Sequence, residues 1–518
     1  MFDKWLQLPA HKYLHLLGCL LIGVGLPLNK VVMSIGTIWV IANVVIEGDY
    51  KTYLKNLKNN RVFLLISGLF LLHFVSVFWT EDITYALGDI RSKLPLLIIP
   101  MALIAKPLEK EFITIVLYGF ILSVATTSFI NVGLFYSNGH FSDGTDIRYM
   151  SLFGSHIRYG LIVLFGLAAS LYFVKRTNKL SWLWIIPAGW FLIYTAIAQV
   201  MSANFALIIM LLGLVVYKIF QIKSKQLKIG TSLLALLLFS SISYFLYSEI
   251  KPSTNKINFG KLEQLTSLGN QYYHDTTILI FENGNHVMTY IQEDELRVEW
   301  NTSSAISYDS LDLKGQQIFG TLIRYMTSKG LRKDHEGFRQ LTEQDIRNIE
   351  IGIPSIRYIE NPFTARIDGI THQIQYYFAG GPSSGHSLLQ RFEHWRAGAH
   401  ILKTNWLFGV GTGDVQKEFD KAYNTINTDL ELTQRNRAHN QFLTFWVTFG
   451  VLGLLILVLF SRQILVNAAK HKHTLGICFA LIAITSFLPE DTLETQQGVT
   501  FIAFFIGLFP EVNRRIRN

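Results

Sequence analysis

The strongest constraint in this sequence is a series of twelve apolar runs separated by short clusters of lysine and arginine. The runs lie at 14–28, 31–46, 62–78, 94–105, 112–135, 157–174, 180–198, 201–220, 229–246, 441–460, 474–488 and 498–509. A helix that crosses the hydrocarbon of a bilayer needs about 20 mostly apolar residues, so most of these runs are long enough and the fourth and twelfth must borrow from their flanks. No small-residue cleavage site follows the first run and a second starts at once, so the first is expected to stay as a span. Only 16% of the 518 residues are charged, against about 25% in a soluble domain, and this deficit argues against a chain of ordinary soluble domains. Cys19 and Cys478 both sit inside apolar runs, which leaves no disulfide framework or cysteine metal site to expect.

Placement of the basic residues sets a topology. With both termini inside, 21 Lys and Arg fall in inside segments and four, Lys30, Arg91, Lys93 and Arg148, in short outside ones. Cytoplasmic loops carry such an excess. The net charge of +9 is therefore read as an orientation signal, and nucleic acid is not an expected partner. The expected fold is an all-α polytopic membrane protein of about twelve transmembrane helices. Residues 1–246 carry helices one to nine, 247–438 form one large outside loop domain of α+β type, and 439–518 carry helices ten to twelve. No internal repeat is evident.

Within the loop, TTILIF (276–281), an Asn-Gly turn and HVMTYI (286–291) read as a hairpin, with LRVEW (296–300) as a third strand. From Gly315 the pattern turns helical, and Thr342 with Asp345 suits a helix start. Residues 387–404 and 415–425 read as helices on either side of a glycine-rich turn, Asn405 to Asp414. Glu293-Asp294-Glu295 and Asp309-x-x-Asp312 read as solvated turns, and the histidines lack ligand spacing, so no metal is expected.

The sharpest feature is the re-entry into the last apolar block, Arg435-Asn-Arg437-Ala-His439-Asn440 before QFLTFWVTF. Helix N-termini carry free N–H groups and partial positive charge. Cations placed there oppose the dipole, and a bound phosphate removes the conflict; the ordinary alternative is snorkelling to lipid headgroups. His439-Asn440, nine residues, then Gly450-x-x-Gly453 resembles the signature of the O-antigen ligase and polymerase family. Arg391-Phe-Glu-His-Trp395 and Gly409-Val-Gly411-Thr-Gly413-Asp414 resemble that family's loop, and the topology is similar as well.

The resemblance implies a glycosyltransferase of the bacterial inner membrane. It would have cytoplasmic termini and a periplasmic site, and would move a preassembled glycan from undecaprenyl diphosphate to the lipid A-core. A growing glycan or a protein hydroxyl is the alternative acceptor, and a lipid-linked glycan transporter or an assembly scaffold is the rival outside enzymes. No cofactor is implied; membrane lipids are partners. Such chemistry needs fixed positive charge at the departing diphosphate and a base at the acceptor hydroxyl. His439 is the expected base and Arg391 the expected diphosphate contact. Arg437, Arg435 and Arg158 are further cationic candidates, Asn440 a capping or orienting residue, and Asp491 a candidate carboxylate beside Glu490 and Glu494. A solvated acidic turn is the ordinary reading of those three acids, and headgroup contact that of Arg91 and Lys93. Gly450 and Gly453 read as close-packing residues. One departure from the family pattern is Met201-Ser202-Ala203-Asn204, which lacks the arginine that other members place there.

Overall fold

The computed structural model describes residues 9–140, 147–175, 179–250, 262–360, 362–378 and 380–509. The two terminal segments expected on the inside lie, for the most part, outside these ranges. Helices dominate: α1 (Pro9–Leu28), α2 (Lys30–Glu47), α3 (Tyr50–Lys58), α4 (Arg61–Val75), α5 (Ile83–Lys93), α6 (Pro95–Ala105), α7 (Lys110–Ser137), α8 (His156–Val174), α9 (Ile185–Ala198), α10 (Met201–Gln221) and α11 (Lys225–Ile250) precede the loop. After it come α18 (Gln441–Lys470), α19 (Thr474–Ser486) and α20 (Gln496–Leu508). All twelve apolar runs coincide with helix. Among the described residues, eight helices are long and apolar enough to cross a membrane, and α19 and α20 are shorter apolar helices.

Helix starts follow side-chain chemistry. Asn29, Asn60 and Asp82 accept N–H bonds from Val31, Phe63 and Tyr85 at the starts of α2, α4 and α5, each satisfying a donor the helix leaves free. Pro95 opens α6, where its missing N–H costs nothing. The bundle centres on α8, whose Phe165 packs edge-on against Phe479 of α19 and Phe505 of α20. α18 packs between α4 and α19.

Among its described residues the large loop is mostly helical, with one short strand pair. It contains α12 (Glu293–Ser303), α13 (Ile318–Ser328), α14 (Glu343–Glu350), α15 (Pro362–Phe378), α16 (Ser387–Asn405) and α17 (Val415–Thr425). The expected hairpin shrinks to β1 (Phe281–Glu282) and β2 (Asn285–His286), antiparallel, with Phe281 opposite His286 around the foreseen Asn283-Gly284 turn. The expected third strand is the middle of α12. Gln292 caps that helix through the Glu295 N–H, and Glu293, Asp294 and Glu295 occupy its first turn, where negative charge suits the dipole. Leu296 and Trp300, four residues apart, point into one core. The acids read as solvated turns are partly structural: Glu295 and Asp312 are buried. Thr342 and Asp345 form a reciprocal capping box at α14, as read. Two cores serve the loop. One joins Trp300, Leu322, Tyr325 and Ile349; the other joins Ala397, Phe419 and Tyr423 to Ala438 and Val447, tying α16 and α17 to the start of α18.

Candidate active site at the start of the Gln441–Lys470 helix

Asn440 caps α18 by accepting the Leu443 N–H at 3.0 Å, so capping is its role. The preceding residue, His439, has a φ of +46°. A non-glycine residue rarely adopts this left-handed backbone, and holding it there costs about 1–3 kcal/mol. Four hydrogen bonds around it hold it. Asp491 accepts the His439 N–H at 3.1 Å and the Thr444 hydroxyl at 2.8 Å. Gln441 donates its backbone N–H to Phe487 O at 2.9 Å. Its side-chain oxygen accepts the Leu493 N–H at 2.6 Å. The 487–494 loop thus clamps the start of α18 and presents the imidazole.

That ring is a third exposed. Its Nδ1 lies 3.5 Å from Glu490 Oε2, an ion-pair distance beyond a hydrogen bond. Glu490 also accepts from Arg391 Nη2 at 3.0 Å, and Arg391 donates further to Pro489 O and Ser387 O. Burial pushes Glu490 up, but His439, Arg391 and Arg158 outweigh it and hold the carboxyl below its ordinary range. Glu490 therefore stands ionised between the expected base and the expected phosphate contact, and Arg391 pairs with Glu490 and not with its helix neighbour Glu393.

A second histidine backs the first. The rings of His394 and His439 are 5.3 Å apart, tilted by 37°. Tyr423 donates its hydroxyl proton to Asn436 O, so at 2.7 Å it accepts from His394 Nδ1. Burial first, then the charges of His439 and Arg391, push His394 down to about 3. It remains neutral and gives the base an uncharged wall.

Arg437 donates to Glu494 at 2.6 Å and to the Tyr85 hydroxyl, with its guanidinium 5.5 Å from the Tyr85 ring centre. Glu494 also takes Lys93 Nζ at 2.7 Å, and Lys93 reaches Asp89 at 2.6 Å. The headgroup reading of Lys93 is overturned, because its side chain is fully buried. The solvated-turn reading of the three acids is overturned too: Glu490, Asp491 and Glu494 are all enclosed. Burial pushes Glu494 up, but Lys93 and Arg437 hold it far below a free carboxyl; its neighbour Asp491 is raised by burial and by the Glu494 charge.

Arg158, at the start of α8, brings Nη2 to 3.5 Å from Asp491 O. Two residues on, Gly160 packs on Val200 and Ala203, so Arg158 stands beside the stretch that lacks the family arginine. Arg435 is turned away. It donates to Leu430 O and Asn424 Oδ1 within the loop, and among the described residues no hydrogen bond or ion pair joins it to His439. The structure thus brings His439, Arg391, Arg158, Arg437, Asn440 and Asp491 to one end of the bundle and leaves Arg435 in the loop's own packing. Sequence reasoning passed over His394 and Tyr423, and read Lys93 as a headgroup contact; His394 stood inside the quoted Arg391–Trp395 segment, three residues from the arginine.

Gly450 breaks α18 with φ +66° and ψ −162°. A Cβ there would overlap the Leu407 carbonyl, and one on Gly409 would overlap Thr448 O. Through this gap the glycine turn docks on the helix: Val410 N–H donates to Val447 O and Gly411 N–H to Thr448 O, both at 2.9 Å. Close packing is thus the role of Gly450, but against a loop backbone and not another helix.

Among the described residues, no group of three or more His, Cys, Asp or Glu is placed to hold a metal ion. Residues 353–458 match the family model described as O-antigen ligase. That segment holds α15 to the Gly450 break, and it includes Arg391, His394 and His439. No curated protein matches the chain. Over that segment the chain is similar to O-antigen ligases, which points to ligase- or polymerase-type activity on glycans, and with the apolar helices the match indicates a multi-pass membrane protein.

Proposed function

We propose that this protein is a member of the O-antigen ligase family and transfers a preassembled glycan from undecaprenyl diphosphate to the lipid A-core at the periplasmic face of the inner membrane. The observation that carries the reading is the ionised Glu490 held between His439 Nδ1 and the Arg391 guanidinium. With Nδ1 turned to that carboxylate, Nε2 of His439 is the free base nitrogen. It takes the proton of the acceptor hydroxyl as that oxygen attacks the anomeric carbon. The bond from that carbon to the diphosphate oxygen breaks, and the diphosphate leaves with both electrons of the bond. Arg391 and Arg158 receive the growing charge, Arg158 in place of the arginine missing near Ala203. Glu490 then faces an imidazolium and stabilises it, as a carboxylate behind a catalytic histidine does. Arg437, tied to Glu494, secures the site's floor.

The test uses the purified protein in liposomes with an undecaprenyl-diphosphate glycan and three acceptors in parallel: lipid A-core, free repeat units and a serine-rich protein. Release of undecaprenyl diphosphate with glycosylated lipid A-core is the expected result, unchanged by EDTA. Preference for repeat units or protein reassigns the acceptor. Movement of intact donor across the bilayer with no release identifies a transporter.

A further inference from the structure

We propose that the Trp406-Leu407-Phe408 turn between α16 and α17 is seated in the lipid bilayer, as an interfacial anchor that sets the height of the α16 helix over the membrane. The occupant of this surface is lipid. The inference rests on the chain being a multi-pass membrane protein and is independent of the glycosyl-transfer reading.

Three observations carry it. The first is depth. Val410 and Gly411 bond to the carbonyls of Val447 and Thr448, and Val451 N–H donates to Trp406 O at 3.0 Å. At 1.5 Å per residue Val447 and Thr448 lie roughly 9–11 Å along α18 from Gln441, and Val451 follows just past the Gly450 break. The turn therefore runs beside the apolar body of a spanning helix instead of standing above its end. α16 leads down to it: Gly398 packs on Leu443, and the seven residues to Asn405 descend about 10 Å further.

The second is the state of the turn's backbone. Irregular backbone survives at membrane depth only where protein satisfies its polar groups. Gly409 N–H donates to Asn405 O. Thr412 N–H donates to Ser76 Oγ, and Gly413 N–H to Thr80 Oγ1, at 3.1 and 3.0 Å. Trp406 O accepts both Val451 N–H and Trp446 Nε1. The glycine-rich half of the turn is thus paired with protein and not left to water, the state that membrane depth requires.

The third is the surface itself. Trp406, Leu407 and Phe408 are 51%, 43% and 70% exposed. No charged residue lies between Lys403 and Asp414. Trp79, beside Gly411 of the turn, and Phe78 lie just past the end of α4 and are exposed, as are Phe74 and Leu71 on α4 itself. On α18, Leu452 and Leu455 are exposed as well. Those are the outer faces of two helices apolar enough to span. Tryptophans at 79, 406 and 446 gathered at one level are the composition of a membrane–water interface. Because α16 also carries Arg391 and His394, seating its lower end fixes their distance from a lipid's phosphates.

The experiment places a bimane label at Phe408→Cys in the full chain in lipid nanodiscs. Cys19 and Cys478 are buried, so the label reports on one position. A Leu432→Cys label, on a loop residue 80% exposed, is the aqueous reference. Lipids brominated near the headgroup are expected to quench the position-408 label at least two-fold more than the reference, and iodide at least two-fold less. Equal quenching of the two labels by both agents overturns the proposal. Leu407→Cys provides the same readout should Phe408→Cys fail to fold.

Discussion

His439 combines a left-handed backbone, a carboxylate at Nδ1 and a neutral histidine at its back. On the proposed reading, that strain is kept because the base must stand where it does. Replacement His439→Gly relieves the backbone, so the thermal midpoint is expected to hold or rise while transfer falls by about 100-fold or more; loss of folding with loss of activity would contradict this. Glu490 gives a pH signature. Its folded pKa is depressed, so its stabilising contribution is fully present above the usual carboxylate range and is lost as pH falls through the lowered value. Glu490→Gln is therefore expected to cost about 1–3 kcal/mol at pH 7, with the gap from the wild type closing in acid; denaturation at pH 7 and pH 4 measures it. His439 was legible because its neighbours in sequence and the nine-residue spacing to Gly450 stand together. Asp491 was singled out over Glu490 because adjacent acids look alike in sequence; only the fold turns one toward the backbone of α18 and the other toward the imidazole.

At the scale of elements, the glycine turn and the break at Gly450 form one joint. A Cβ at Gly450 meets the Leu407 carbonyl at a backbone angle that side chains avoid. Gly450→Ala is thus expected to destabilise by about 2 kcal/mol or more, well beyond the roughly 1 kcal/mol of losing the Asn440 cap in Asn440→Ala; urea denaturation of both variants ranks them. Hydrophobic period and caps were enough to foresee helix over the apolar runs and at α14 and α16, but not the short polar helices α3 and α5. They failed at 296–300, where LRVEW alternates like a strand, because the three acids and the Gln292 cap before it favour a helix start whose Leu296 and Trp300 share a face. Apolar composition alone also could not tell that the turn at 405–413 leans into α18, since that depends on a hydrogen-bond register with Val447 and Thr448.

Across the whole molecule, buried ion pairs join parts far apart in sequence. Lys93 binds α5 to Glu494 before α20, and Glu494 binds Arg437 before α18. Removing one partner strands a buried charge, so Lys93→Met is expected to cost about 3–5 kcal/mol, seen as a large fall in thermal midpoint. Charge placement along the chain set an orientation that needs its own check. An impermeant thiol reagent on intact spheroplasts is expected to modify Leu432→Cys and spare Lys223→Cys, and the reverse pattern would invert the topology. The central claim is that one imidazole, set at the start of α18 and backed by Glu490, draws the proton from an acceptor while arginines hold the leaving diphosphate. Its most direct test is the rate of undecaprenyl diphosphate release by His439→Ala and Arg391→Ala in liposomes, with acceptor present and folding matched to the wild type. Both rates are expected to fall at least 100-fold; release at the wild-type rate by both variants would contradict the proposed roles of His439 and Arg391.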